Sequence, residues 1–222
     1  RRHILGGHCD GLMNYPFRNG LVSFLLGEDA KVFQETMETL RENYPPFAFR
    51  SAMNFLGTHD TPRILTILGV GSECKEQSRD WRAQHRMTPE QYALGLARLK
   101  LGAVVLFAFP GSPMVYYGDE AGMEGFEDPF NRRTFPWGRE DGELTAWFTT
   151  LGRARSALAP LRRGELRWLR AEGRVLAFSR AWEGKTVAAA VNAGDTPDAL
   201  TLSWPSRDLL SGERFSGEVS LP

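Results

Sequence analysis

The chain has 222 residues, and 27 Lys and Arg offset 27 Asp and Glu, so its formal net charge is zero. That balance excludes the basic excess that a nucleic-acid partner or an anionic membrane surface requires. With 42% apolar and 11% aromatic residues, the composition is that of a core-forming globular chain and excludes intrinsic disorder.

The chain opens on Arg1-Arg2-His3, with no initiator Met and no signal-peptide pattern, so it reads as part of something longer. Up to about residue 160, three units of similar grammar follow: a short apolar run, a polar or Gly/Pro-marked loop, then a helical stretch. The first runs from Cys9 through Tyr15 into helical segments over 17–27 and 29–44. In the second of these, Val32, Phe33, Thr36, Met37 and Leu40 recur at helical spacing, and Pro45-Pro46 stops it. The second unit opens with the buried-strand pattern Ala52 to Gly57, ends at Thr58-His59-Asp60-Thr61-Pro62-Arg63, and crosses a polar stretch over 69–86. Thr88-Pro89-Glu90-Gln91 then predicts a boxed helix N-terminus, and the helix should be apolar nearly all round from Leu94 to Phe109. The longest apolar stretch, Leu101 to Pro110, is about half of what a membrane span needs. In the third unit, Pro113 to Tyr117 is the strand, a long loop reaches Trp137, and Leu144 to Leu158 is an amphipathic helix. Strands alternating with helices predict parallel β/α architecture. After Pro160, strand patterns at 165–171, 174–182, 186–192 and 199–204, with turns every 8–12 residues, predict a small antiparallel β module.

In parallel β/α folds, functional groups gather at the carboxyl ends of strands. Asn14-Tyr15, His59-Asp60 and Tyr117-Gly118-Asp119-Glu120 fall there, with the loop Asp128 to Arg133 attached to the last. Each has a plain alternative: Asp60 as a helix cap beside a bonded histidine, Asp119-Glu120 as a solvated acidic turn, Asp128–Arg132 as a loop salt bridge. His3, His8, Cys9 and Asp10 match no metal-site spacing, so no metal ligands are assigned. Gly69-Val70-Gly71 lacks the strand-to-helix setting of a dinucleotide fingerprint, and no serine sits in a nucleophile elbow.

Several of these segments carry a resemblance. Asn54-Phe55-Leu56-Gly57-Thr58-His59-Asp60-Thr61-Pro62-Arg63 resembles the fourth conserved region of the α-amylase family, glycoside hydrolase family 13, in its cyclomaltodextrinase, neopullulanase and maltogenic amylase branch. Asp10-Gly11-Leu12-Met13-Asn14-Tyr15-Pro16-Phe17-Arg18 resembles the branch's sixth barrel strand. Pro110-Gly111-Ser112-Pro113-Met114-Val115-Tyr116-Tyr117-Gly118-Asp119-Glu120 resembles its eighth. The match continues through Gly122-Met123-Glu124-Gly125 and Asp128-Pro129-Phe130-Asn131-Arg132-Arg133 to Phe135-Pro136-Trp137. Departures are Thr58 for a common serine, Thr134 for a common proline, and a long 69–88 loop.

The resemblance implies an α/β fold: a partial (β/α)8 TIM barrel (strands six to eight with their helices) over 1–162, then a small antiparallel β-sandwich domain over 163–222. A whole barrel takes about 250 residues, so an N-terminal barrel half is expected as a missing partner. It also implies an α-glucan hydrolase that cleaves α-1,4 links in maltodextrins or cyclodextrins with retention. Retaining glycosidases need two carboxyls about 5 Å apart. The family places its nucleophile on strand four and its acid/base on strand five, so the chain alone is expected to be inactive. Asp60 would be the transition-state stabiliser and His59 would bond the same sugar. Asp128 and Arg132 would hold a sugar on the nonreducing side, and Met13 and Tyr15 would line the cleft near the attacking water. The alternative is a noncatalytic carbohydrate-binding or scaffold protein derived from an amylase. No cofactor is expected, and the family's usual calcium sites would lie outside this segment. Expected partners are an α-glucan oligosaccharide and a second copy, through the exposed barrel edges at 8–15 and 113–117, with no nucleic acid or membrane. Two cysteines, Cys9 and Cys74, cannot build a disulfide framework; with the habits of the branch they imply a cytoplasmic location.

Overall fold

The structure is a computed structural model and describes residues 8–71 and 77–222. His3 and Cys74, named above, lie outside the described residues.

Helix α1 (Tyr15–Leu26) starts where the Asn14 side chain accepts from the Phe17 amide at 3.1 Å, with Pro16 in the first turn. The Asp29 carboxylate caps α2 (Ala30–Asn43), accepting from the Lys31 amide at 2.8 Å. A short α3 (Pro46–Ser51) leads into β1 (Met53–Phe55), and α4 (Ile64–Val70) and α5 (Arg79–Gln84) follow. Helix α6 (Pro89–Ala108) opens on the full capping box: Gln91 N–H donates to Thr88 Oγ1 at 3.2 Å, and Thr88 N–H donates to Gln91 Oε1 at 3.0 Å. Strand β2 (Ser112–Met114), α7 (Gly142–Ala157) and α8 (Ala159–Arg163) complete this part.

β1 and β2 pair in parallel with Met53 opposite Ser112, and Met13 forms a parallel bridge to Met53 on the other side of β1. The strand expected over 113–117 is thus confined to 112–114, and the edge expected over 8–15 reduces to one bridge. Pro113 has no amide to donate, and among the described residues each outer segment has one neighbouring strand, so little main-chain pairing extends them. Buried amides compensate. Asn14 Nδ2 donates to Asn54 Oδ1 at 2.9 Å, and Asn54 Nδ2 donates to the Pro110 carbonyl at 2.7 Å, tying the three segments together.

Two expectations need correction here. The stretch 69–86 contains α5 and the end of α4 rather than plain loop. Nor is α6 buried all round: Leu94 is exposed, and burial runs from Gly95 through Leu99, Gly102, Ala103, Val105 and Leu106 on the side packed against α4, α7 and β5. By length and composition alone α6 would also suit a membrane span.

From Glu165 the chain is antiparallel. β3 (Glu165–Glu172), β4 (Val175–Trp182) and β5 (Lys185–Asn192) form one sheet in that order, and β6 (Asp198–Arg207) pairs with β7 (Arg214–Leu221). Glu183 and Gly184, both at positive φ, make the two-residue β4–β5 turn whose twist matches antiparallel strands. The largest apolar core crosses from helices to sheet without a break. Phe109 lies 5.4 Å from Phe17, 5.7 Å from Phe33, 5.9 Å from Trp168 and 5.5 Å from Phe178, ring centre to ring centre. Arginines seal the same junction. Arg174 donates to the Phe24 carbonyl at 2.6 Å and the Glu28 carbonyl at 2.8 Å, and Arg180 donates to the Ala108 carbonyl at 2.7 Å and the Gly164 carbonyl at 3.0 Å. Phe24 and Ala108 lie in the last turns of α1 and α6, where carbonyls run short of intrahelical donors.

Candidate functional site

The site is built on the turn that leaves β1. Thr58 and Thr61 fold it: Thr58 N–H donates to Thr61 Oγ1 at 3.1 Å, Asp60 N–H donates to Thr58 Oγ1 at 3.1 Å, and Thr61 N–H donates to the Thr58 carbonyl at 3.3 Å. This local bonding turns the Asp60 carboxylate outward, with its side chain 59% exposed. The residue at the N-terminus of α4 is Arg63, without a side-chain cap, so the helix-cap reading of Asp60 is excluded.

His59 Nε2 stands 3.3 Å from Asp60 Oδ1, and Arg132 Nη2 stands 3.8 Å from the same oxygen. Arg132 Nε is shared between Asp128 Oδ1 at 3.1 Å and the His59 carbonyl at 3.2 Å. Four of the six sequence-predicted site residues therefore form one connected, solvent-facing cluster: His59, Asp60, Asp128 and Arg132. Met13 and Tyr15 are joined to it only through the strands. Met13 bridges to β1 at Met53, and the Tyr15 ring meets Phe55 edge-on at 4.9 Å.

Beneath the cluster lies a polar layer that sequence reasoning missed. Arg63 is fully buried; its Nε donates to the Asn131 carbonyl at 2.8 Å, and its Nη1 donates to Asp119 Oδ1 at 3.1 Å and also to the Tyr117 carbonyl. Its guanidinium lies 4.4 Å from the Tyr116 ring centre and 4.6 Å from that of Tyr117. Asp119 is buried, which excludes the solvated-turn reading. Burial pushes its carboxyl up to about 7, against the opposing pull of the Arg63 guanidinium. The room for it comes from Gly57, where a Cβ would stand 2.1 Å from Asp119 Oδ2. Asn131 Nδ2 in turn donates to the His59 carbonyl at 2.7 Å and the Thr61 carbonyl at 2.8 Å. Arg63, Asp119 and Asn131 all stood inside the quoted motifs, but residue type alone marks them as surface groups.

A cluster of carboxylates, a histidine and an arginine at a strand's carboxyl end offers both hydrogen-bond donors and acceptors to solvent. Comparison with known proteins places the chain in a family. The family model described as "Alpha amylase, catalytic domain" matches residues 2–157. The chain is 39% identical over 189 residues to an amylopullulanase of Thermoanaerobacter thermohydrosulfuricus, covering 80% of this chain and 12% of that protein. It is 30% identical over 235 residues to a cyclomaltodextrinase of Geobacillus thermopakistaniensis, covering 99% of this chain and 36% of the relative. A crystal structure of an Anoxybacillus α-amylase superposes with a TM-score of 0.80 at 27% identity, covering 99% of this chain and 46% of that one. The chain belongs to the α-amylase catalytic-domain family of glycoside hydrolases. It spans only a fraction of the length of the relatives it matches.

Proposed function

We propose that this chain is the C-terminal part of a retaining α-glucan hydrolase that cleaves α-1,4-glucosidic bonds in maltodextrins or cyclodextrins. On this reading, residues 1–162 supply strands six to eight of a (β/α)8 barrel, and 163–222 form the antiparallel β domain that follows it. The observation that carries it is the cluster in which Asp60 and Asp128 share Arg132 beside His59 at the end of β1.

In the complete site the Asp60 carboxylate accepts hydrogen bonds from two neighbouring sugar hydroxyls. Those bonds strengthen as the ring flattens towards the oxocarbenium ion, so the carboxylate acts by electrostatics and forms no covalent bond. His59 Nε2 bonds the same sugar, and the Arg132–Asp128 pair holds the next residue on the nonreducing side. Nucleophile and acid/base come from the preceding polypeptide, which the lengths of the relatives allow for. The printed names of those relatives, amylopullulanase and cyclomaltodextrinase, support a starch-like glucan as the substrate class.

The test uses two polypeptides: this chain, and this chain with its upstream coding region. The longer one is expected to hydrolyse maltotriose or a cyclodextrin and to release product in the α configuration, read by proton NMR. The chain alone is expected to show no turnover. Turnover by the rigorously purified chain, or an inactive longer polypeptide that still binds maltodextrin, overturns the reading; the latter favours a noncatalytic glucan-binding protein. Among the described residues the outer edges at Met13 and β2 have no further strand partner, and with Leu12, Met13 and Tyr117 exposed beside them they favour self-association of the chain alone. Sedimentation at micromolar concentration should show dimers or larger species, and a lone 24.9 kDa monomer would refute that.

A further inference from the structure

We infer that Arg63 and Asn131 are positioning residues: together they fix the backbone on both sides of Asp60, and so the direction in which its carboxylate meets the ligand. The inference rests on the reading of Asp60 as the ligand-facing carboxylate, and it assigns a role to two side chains that do not themselves touch a ligand.

The geometry forms a relay. Arg63 holds the Asn131 backbone through Nε at 2.8 Å, and the Asn131 side chain uses both amide protons on the carbonyls of His59 and Thr61, at 2.7 and 2.8 Å. Asp60 lies between those two carbonyls, so one buried carboxamide brackets it. The Arg63 amide donates to the Gly125 carbonyl at 2.8 Å, which pins the far end of the same turn to the loop that carries Asn131. Arg132, next in sequence to Asn131, completes the bracket from the solvent side through the His59 carbonyl. The turn with Asp60 and the loop with Asp128 are therefore locked to each other by side chains 68 to 73 positions apart in the chain.

A support kept only for stability would look different. Arg63 Nη2 and Asn131 Oδ1 are both buried with no hydrogen-bond partner, and each such group carries an uncompensated desolvation cost. Apolar side chains of similar volume would fill the space without that penalty. What they could not do is grip two carbonyls at fixed angles. Lysine cannot replace Arg63 either, because a single ammonium cannot reach the Asn131 carbonyl, the Tyr117 carbonyl and Asp119 from one planar fork.

Amide hydrogen exchange on this chain tests the relay without requiring activity. In Asn131→Ala and in Arg63→Lys, exchange at residues 58–61 should accelerate about tenfold or more, while amides of α6 and β4 keep their protection. Unchanged exchange at 58–61, or acceleration spread equally through α6 and β4, overturns the proposal, because the residues would then be idle or merely stabilising. Arg63→Lys serves if Asn131→Ala does not fold. In the longer polypeptide, Asn131→Ala should lower kcat by about 10- to 100-fold with KM changed far less, the effect of a small misplacement at a reacting centre. Equal kcat for variant and wild type also overturns the proposal. An inactive wild type sinks the glycosidase reading instead and leaves the exchange result to judge the relay.

Discussion

Two arginine–aspartate pairs sit within one small region and live in opposite surroundings. Arg132 and Asp128 are 45% and 57% exposed at 3.1 Å; Arg63 and Asp119 are 0% and 4% exposed, also at 3.1 Å. Water screens the first pair, so it contributes at most about 1 kcal/mol to the fold and keeps its remaining hydrogen-bonding capacity turned to solvent. The second has been stripped of water, so each member depends on the other and neither is available to a ligand. Equal distance thus says little about energetics; burial decides whether a pair braces the fold.

Breaking the buried pair should give the largest effect. Arg63→Met is expected to destabilise the chain by about 3–5 kcal/mol, read as a lower urea midpoint, because Asp119 is left buried and alone. The loss should be greater at pH 8, where Asp119 is charged, than at pH 5, where it already carries its proton. Next comes the exposed side. On the proposed reading, Asp60→Asn in the longer polypeptide should lower kcat about 10²–10³-fold while leaving the thermal midpoint within error of wild type. A stability loss matching that of Arg63→Met would erase the contrast between the two layers.

The third effect is a slope. Asp119 titrates near 7 in the folded chain against 3.8 for the free group. Between those values the folded chain holds the extra proton, so this carboxyl's contribution to stability falls as pH rises from about 4 to about 7 and is level above that. Asp119→Asn should flatten that part of the stability–pH curve, and an unaltered curve would show that the group is ionised throughout. Smallest of all, Asp128→Ala should change stability by less than about 1 kcal/mol while raising KM for maltotriose.

Much of this was legible before any coordinates. The Thr88–Gln91 capping box, the change to antiparallel pairing near 165 and the co-location of His59, Asp60, Asp128 and Arg132 follow from spacing, capping chemistry and motif resemblance. Burial was not legible. Arg63 and Asp119 belong to residue types that are nearly always exposed, and only a partner some 56 positions away makes their burial tolerable. Strand β7 also escaped notice, because Arg214 to Leu221 carries Gly217 and few β-branched residues, and its partner β6 defines it instead. Asp60 could be separated from a helix cap only by seeing that Arg63 occupies the place where α4 begins.

Phe109 ends α6, yet its ring is shared with Trp168 and Phe178 of the antiparallel sheet. The hinge one would draw at residue 162 therefore runs through an aromatic cluster rather than beside it. Exchanging the sheet module between relatives would fail unless those rings travelled with it. A protease nick in 162–164 should leave two pieces that stay together on a column until denaturant separates them. Substitutions at Phe109 and Phe178 should accordingly show non-additive effects on melting, as partners in one fold rather than residents of two.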